Sequence, residues 1–84
     1  MSDEVMIGTV SDYFSHIGVA GIDLIDSLKK EDRIHIQGHT TDLMQTVESI
    51  QIDRKEVGEA SAGQSVGVKV QERVRKGDMV FLVP

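Results

Sequence analysis

Six basic residues are the strongest candidates for chemistry in this sequence, because they cluster near the ends of two predicted strands. They are Arg54, Lys55, Lys69, Arg73, Arg75 and Lys76. Alternating valines predict that Lys69 points outward, and Arg73 and Arg75 share its face if the strand continues beyond residue 72. About three to five such side chains can bind a phosphate backbone with an affinity that falls steeply with salt. The alternative is a solvated strip whose charges are offset by surplus acids.

A short polar loop, residues 38–42, is the second candidate site. It reads Gly-His-Thr-Thr-Asp, and His39 and Thr40 are its candidate contacts to a nucleic-acid backbone or a protein partner. The same composition is typical of a hairpin turn, in which Gly38 adopts a positive φ and Thr40 or Asp42 bonds to the backbone. Both interpretations place the loop at the rim of a β-structure.

The motifs of catalytic and metal-binding sites do not occur in the sequence. His35 and His39 are four residues apart, but that spacing converges on a metal in a helix, not in a strand followed by a loop. His16 is predicted to lie in a hairpin turn, and the chain has no cysteine. Neither a Gly-x-Ser-x-Gly elbow nor a Gly-x-x-x-x-Gly-Lys phosphate loop is found. We therefore expect no catalytic residue, no metal, no cofactor and no enzyme activity.

The overall charge limits the kinds of partner. The 84 residues carry 9 Lys and Arg against 14 Asp and Glu, a net charge of −5. An acidic total disfavours general coating of DNA, whereas a local basic strip suits one structured RNA or an acidic partner. The N-terminus has no apolar signal segment, and no apolar run reaches the ~18 residues of a membrane helix. From these patterns we expect a soluble cytoplasmic protein without a membrane or DNA partner.

Apolar residues alternate with polar ones along most of the chain, as in strands with one buried face. The predicted strands are 4–11, 17–25, 33–38, 43–54, 65–72 and 79–83. The alternation changes phase near Glu48–Ser49, which predicts a bulge, and one helical turn is predicted near Glu59–Ala62. Six short strands with frequent turn signals predict an all-β fold over residues 1–84: a six-stranded, mostly antiparallel, closed β-barrel.

Several turns of this predicted barrel resemble those of the second domain of translational GTPases of the elongation factor Tu type. The opening Ile7-Gly8-Thr9-Val10 resembles its first hairpin, and Ala60-x-Ala62-Gly63-Gln64 resembles the element before its fifth strand. The closing Val74-x-x-Gly77-Asp78 resembles its exit turn. Leu28-Lys29-Lys30-Glu31-Asp32 resembles a turn that usually has glycine where this chain has Glu31, so a different turn type is expected. A similar barrel occurs at the C-terminus of the collagenase-like peptidase family, whose members include RNA-modifying enzymes.

The resemblance implies a free-standing, translation elongation factor-like protein without its own GTPase domain. Such a module would contact tRNA or ribosomal RNA through the six basic residues, with His39 and Thr40 at the rim. The alternative is a protein-interaction adaptor that docks on a GTPase or an RNA-modifying enzyme and performs no chemistry. The acidic body of the chain favours the adaptor, and the basic residues favour the RNA-binding module.

Overall fold

Every regular element of the computed structural model, which describes residues 3–84, is a β-strand. The ten strands are β1 (Val5–Phe14), β2 (Val19–Leu24), β3 (Leu28–Lys29), β4 (Arg33–Gln37), β5 (Asp42–Thr46), β6 (Ile50–Ile52), β7 (Lys55–Val57), β8 (Glu59–Ala60), β9 (Ser65–Lys69) and β10 (Met79–Val83). The longer strands show the period-two burial that the sequence pattern predicts. The all-β fold is therefore confirmed.

Eight of the strands form one antiparallel sheet in the order β5-β4-β10-β1-β2-β9-β6-β7, and β3 pairs with β8 separately. Within residues 3–84, no strand ladder joins the two outer strands, β5 and β7. The prediction of a six-stranded closed barrel is therefore wrong in both strand number and closure. Of the four extra strands, β3, β7 and β8 have only two or three residues, which leave too little alternation to be recognised in a sequence, and β6 comes from the division of the strand predicted over 43–54.

The change of phase predicted as a bulge near Glu48–Ser49 separates two strands. β5 pairs with β4, whereas β6 pairs with β7 and β9. Between them Val47 is fully buried, its N–H donates to the Asp32 carbonyl at 2.8 Å, and its carbonyl accepts from the Glu31 N–H at 2.8 Å. These bonds prolong the β4–β5 pairing by one residue, and the chain then leaves it before β6 begins at Ile50, so the long strand predicted over 43–54 is interrupted.

The helical turn predicted near Glu59–Ala62 is also wrong. Glu59–Ala60 is β8, and the following turn is closed by the Gln64 N–H donating to the Ser61 carbonyl at 3.2 Å. Gly63, the third residue of this turn, has a φ of 88°, which glycine adopts without the steric cost of a side chain. The bulges of the structure lie in β1, between Met6 and Gly8 and between Val10 and Asp12.

The curved sheet encloses one apolar core of small and medium-sized aliphatic side chains. Its fully buried members include Ile7, Ile22, Leu28, Ile34, Ile36, Ile50, Val47, Val68 and Val80. Three polar residues, Thr41, Gln45 and Asp78, are also buried, and Gln45 makes a tertiary contact. Its buried side chain donates to the Lys69 carbonyl at 2.8 Å and accepts from the Gln71 N–H at 2.9 Å. This amide joins edge strand β5 to the segment that follows β9, where no ladder is formed.

Candidate binding groove

Two glycines lie opposite each other on the outer face of β2 and β9 and form the floor of a surface groove. Gly21 pairs with Gly67, and the register extends this row to Asp12 on β1 and Gln51 on β6. Inward-pointing neighbours such as Ile22 belong to the core, so the row faces solvent. Because the two central positions have no side chain, the row is a trough that crosses the strands.

The side chains beside this row give the groove its walls. Val19 pairs with Phe14 on β1 and with Lys69 on β9, which places an apolar wall on one side. Asp23 and Ser65 pair on the other side, and the Ser65 hydroxyl donates to the Asp23 carboxylate at 2.7 Å. The groove is open and has a volume of about 560 Å³.

Two large apolar side chains are exposed at the tip of the β1–β2 hairpin, where they line the groove. Phe14 is 42% exposed and Ile17 is 55% exposed. The tip is held by the Phe14 carbonyl, which accepts from the Ile17 and Gly18 N–H groups at 3.2 and 2.9 Å. The Val70 N–H also donates to the Gly18 carbonyl at 2.9 Å. These bonds fix the direction in which the apolar side chains project.

The far end of the groove is formed by the two-residue turn between β6 and β7. Asp53 and Arg54 have φ values of 52° and 67°, so both occupy the left-handed region that the tightest hairpin turns require. Both residues line the groove, and His16 lines it at the β1–β2 tip. Within residues 3–84 the Arg54 guanidinium forms no ion pair, so its charge is available to a ligand.

The structure places the six basic residues in several elements, and all of them are exposed. Lys69 is the last residue of β9, whereas Arg73, Arg75 and Lys76 belong to the loop before β10. The predicted strand over 65–72 therefore ends early, and strand alternation does not place the three loop residues on one face with Lys69. Arg54 lies in the groove and Lys55 begins β7. The role of these residues in phosphate binding stays a prediction.

The 38–42 loop is a turn at the end of β4, closed by the Gly38 N–H donating to the Thr41 carbonyl at 2.8 Å. His39 and Thr40 are exposed. Gly38 does not have a positive φ, so that part of the turn interpretation is wrong. Glycine is required at position 38 for a steric reason, because a Cβ there would collide with the carboxylate of Asp78. A role for His39 and Thr40 in nucleic-acid contact stays a prediction.

His35, which the sequence suggested only as one half of a metal pair, is held between two carboxylates on the outer face of β4. Its Nδ1 lies 2.8 Å from Glu4 Oε1, and its Nε2 lies 2.5 Å from Asp42 Oδ1. The hydrogen bonds to Asp42 and then to Glu4 raise the pKa of His35 above its usual 6.5. The two carboxylates are on opposite sides of the ring, so they do not converge on one ion. No cluster able to hold a metal occurs within residues 3–84.

Comparison with known proteins relates this chain to proteins named as peptidases. Over 81 residues, 95% of the chain, it is 41% identical to an uncharacterized protease of Methanocaldococcus jannaschii. Over 80 residues, 93% of the chain, it is 34% identical to a collagenase of Porphyromonas gingivalis. The chain spans about a fifth of the length of these relatives, 20% and 19%. No protein-family model matches the chain.

Two solved structures define the class of fold. Both are of the C-terminal domain of a "putative U32 peptidase" from Geobacillus thermoleovorans. They superimpose with TM-scores of 0.86 and 0.87, at 22% and 21% sequence identity. The matches cover 90% and 93% of this chain, and 96% and 91% of the solved domains. The chain therefore has the fold of that C-terminal domain along nearly its whole length.

These comparisons overturn the expectation of a translation elongation factor-like, RNA-binding module and its GTPase-docking alternative. The relatives are named a protease and collagenases, and the matching fold is a domain of a U32 peptidase. The shared turns misled the sequence interpretation because turn residues report local backbone geometry and not function. Among residues 3–84, no helix is both long and apolar enough to cross a bilayer.

The sequence interpretation missed the groove as a site. Of the residues that line it, Arg54 was a candidate site residue, whereas Phe14, Gly21 and Gly67 were not. Isolated glycines inside alternating strand patterns were the available signal, because they mark a bulge or a close approach to the backbone. Their pairing across β2 and β9 depends on register, which a single sequence does not specify.

Proposed function

We propose that this chain is an accessory β-domain of a peptidase-type protein, and that its groove binds an extended segment of polypeptide. Its contribution is binding, and hydrolysis belongs to the part of such proteins that this chain does not span. The observation that carries the proposal is the glycine-floored trough with Phe14 and Ile17 exposed at one end and Arg54 at the other. The names of the relatives, a protease and collagenases, support polypeptide as the ligand.

The form of the groove suits a polypeptide backbone. With no Cβ at Gly21 and Gly67, a ligand chain can approach closer than it could above ordinary side chains. Exposed Phe14 and Ile17 can bury apolar ligand side chains, and large exposed apolar groups at a groove are typical of binding sites. Arg54 offers a planar, five-donor cation to a carboxylate or to backbone carbonyls of the ligand.

The direct test is a fluorescence-anisotropy titration of the chain with a fluorescein-labelled gelatin peptide and a labelled casein peptide. We expect saturable binding that weakens on the order of tenfold in the double variant F14S/I17S, which removes the apolar contacts. Gly67→Leu should weaken it similarly, because the new side chain fills the trough next to Val19.

Ile25→Ser is the matched control, because Ile25 is 61% exposed but does not line the groove. It should leave peptide binding unchanged. Peptide binding that is absent, or that survives both groove changes, would show that the groove does not bind polypeptide.

The accessory role is tested separately by incubating the isolated chain with quenched fluorescent casein. No release of fluorescence is expected from the wild-type chain. Release that persists through successive purification steps and scales with the concentration of the chain would contradict the assignment of hydrolysis to another part of the protein.

A further inference from the structure

A second surface, away from the groove, has the composition of an interface. It lies on the outer face of β5, β4, β10 and β1, where the register aligns Met44, His35, Phe81 and Met6 across four strands. Met79 lies one row further along β10, between Gln37 and Thr9. We call these residues, Met6, His35, Met44, Met79 and Phe81, the methionine face.

The apolar part of the methionine face is accessible. Met44 is 44% exposed and Met79 is 40% exposed, while Phe81 and Met6 are partly buried between their neighbours. Flexible, polarisable methionine side chains adapt to an opposing surface with little loss of packing quality. Three of them on three of the four neighbouring strands, together with an aromatic ring, form a patch of the kind that soluble proteins cover with a partner.

The polar group at the centre of the face, the His35 ring, has its hydrogen-bond partners before any protein partner binds. His35 uses both ring nitrogens, on Glu4 and Asp42, and its ring centre lies 6.3 Å from that of Phe81. A buried polar group whose hydrogen bonds are complete costs much less to cover than one left unpaired. The histidine therefore does not prevent an apolar surface from docking over the face.

The comparison with the Geobacillus domain indicates the occupant. β1 and β10 are neighbours at the centre of the sheet, with Val5 paired to Leu82, and Glu4 immediately before β1 contacts His35. In the Geobacillus protein the matching fold is a C-terminal domain, so the remaining polypeptide enters at the start of its first strand. A segment tethered at that point is held at high effective concentration beside the methionine face.

We infer that the methionine face is the surface by which this β-domain docks on the larger, peptidase-type part of such a protein. The inference rests on the proposed accessory role but not on peptide binding in the groove. The occupant presents apolar side chains to Met44, Met79 and Phe81. The groove lies over β2, β9, β6 and the end of β1 from Ser11 to Phe14, whereas the face uses only Met6 near the start of β1, so the groove stays open to a ligand while the face is covered.

The test is a full-length chimera. In it, this chain replaces the segment of the Methanocaldococcus jannaschii protease with which it aligns over 81 residues at 41% identity. Hydroxyl-radical and peroxide labelling, read by mass spectrometry, are compared between the chimera and the isolated chain. We expect Met44 and Met79 to oxidise at least about fivefold more slowly in the chimera, because oxidation follows solvent exposure. Labelling of Phe14 and Ile25, which lie outside the face, should be unchanged.

A variant chimera, M44K/M79K, distinguishes protection from labelling by docking from protection that arises from misfolding. Two charges on the face oppose an apolar contact, so labelling of Phe81 should rise to the level of the isolated chain. Ile25→Lys is the matched substitution and should leave Phe81 protected. Amide exchange of β4 and β10 confirms that each chimera is folded.

Equal labelling of Met44 and Met79 in the folded chimera and in the isolated chain would overturn the docking surface. Protection of Phe14 in place of the methionines would also overturn it, because docking would then use the groove. Failure of the peptide titration, with Met44 and Met79 still protected, would remove the ligand-binding role and leave the docking surface intact.

Discussion

The carboxylate of Asp78 occupies the space that a side chain at Gly38 would need. Gly38 follows β4 and Asp78 precedes β10, so the two residues face each other where the ladder between these strands ends. Asp78 is buried, and its Oδ2 accepts from the Arg75 N–H at 2.8 Å. One side chain thus closes the 75–78 turn and packs against the backbone of the 38–41 turn.

Gly38→Ala should destabilise the chain by about 2 kcal/mol, because the new methyl group and the buried carboxylate overlap. The measurement is the free energy of urea unfolding. Gly58→Ala is the matched control, because no atom lies within 4 Å of its Cβ position and its φ is not positive. If the collision is the cause, Asp78→Ala should make the Gly38→Ala change much less costly, so additive effects would contradict this explanation.

Gln45 provides a second test of the tertiary contacts. Gln45→Leu replaces the amide by an apolar side chain of similar size. It leaves the Lys69 carbonyl and the Gln71 N–H without their side-chain partner. We expect a loss of about 1–3 kcal/mol in unfolding free energy. Gln37→Leu, at an exposed glutamine of β4, should change stability by less than about 0.5 kcal/mol. Equal effects at the two positions would show that the bridge does not stabilise the fold.

The His35 cluster predicts a pH dependence with a definite sign. Hydrogen bonds to Asp42 and Glu4 raise the pKa of His35 in the folded chain above 6.5, its ordinary value and the one expected when unfolded. The stabilisation is therefore complete below pH 6.5 and is lost as the pH rises through the folded pKa. The difference in unfolding free energy between wild type and H35Q should decrease with pH across that window.

A direct measurement of the same cluster uses NMR titration of the His35 ring. Asp42→Asn should lower the pKa of His35, because the hydrogen bond to Asp42 is the largest single cause of its rise. Asp26→Asn is the control, because within residues 3–84 the exposed carboxylate that it removes bonds only to the adjacent Ser27 N–H. An unchanged His35 pKa in Asp42→Asn would show that the Nε2 contact is not formed in solution.

Glycine should stabilise the chain at two of the three described non-glycine positions with a left-handed conformation. Glu31 has a φ of 75° and Arg54 a φ of 67°. Glu31→Gly and Arg54→Gly should each stabilise the chain by up to about 1 kcal/mol, since glycine adopts these angles without steric cost. Alanine at either position distinguishes relief of backbone strain from loss of the native side chain, because it removes the side chain and keeps the strain.

Arg54→Gly carries a further consequence for the groove. If the Arg54 side chain contacts the ligand, the glycine variant should be more stable than wild type and should bind the labelled peptides more weakly. Increased stability with unchanged binding would restrict the role of Arg54 to the turn.

Glu31 also shows how a turn can be recognised correctly and its conformation missed. A glutamate at a position where glycine is usual predicted a different turn type, yet Glu31 adopts the positive φ that glycine favours. The Glu31 N–H donates to the Val47 carbonyl, and the Lys29 N–H donates to the Asp32 carboxylate at 2.9 Å. The second bond is local to the turn, whereas the first comes from the tertiary structure and holds Glu31 in a conformation that its residue type disfavours.

The all-β fold and most of the core could be predicted, because burial on one face of a strand leaves a period of two in the sequence. Ile34 and Ile36, and Val66 and Val68, alternate with polar neighbours and are buried as expected. The register, the open ends of the sheet and the break after Val47 could not, because they depend on bonds between residues far apart in the chain. Local preference does not select among such partners.

The same distinction applies to the candidate sites. Charge and exposure of Lys69, Arg73 and Arg75 follow from residue type, since charged side chains are costly to bury. The trough over Gly21 and Gly67 arises only when β2 and β9 pair in one register. The hydrogen bonds to His35 form only when Asp42 of β5 and Glu4, just before β1, are brought to opposite sides of its ring. Alternation specifies which face of each strand is buried, whereas the packing of strands against one core specifies which outer residues meet.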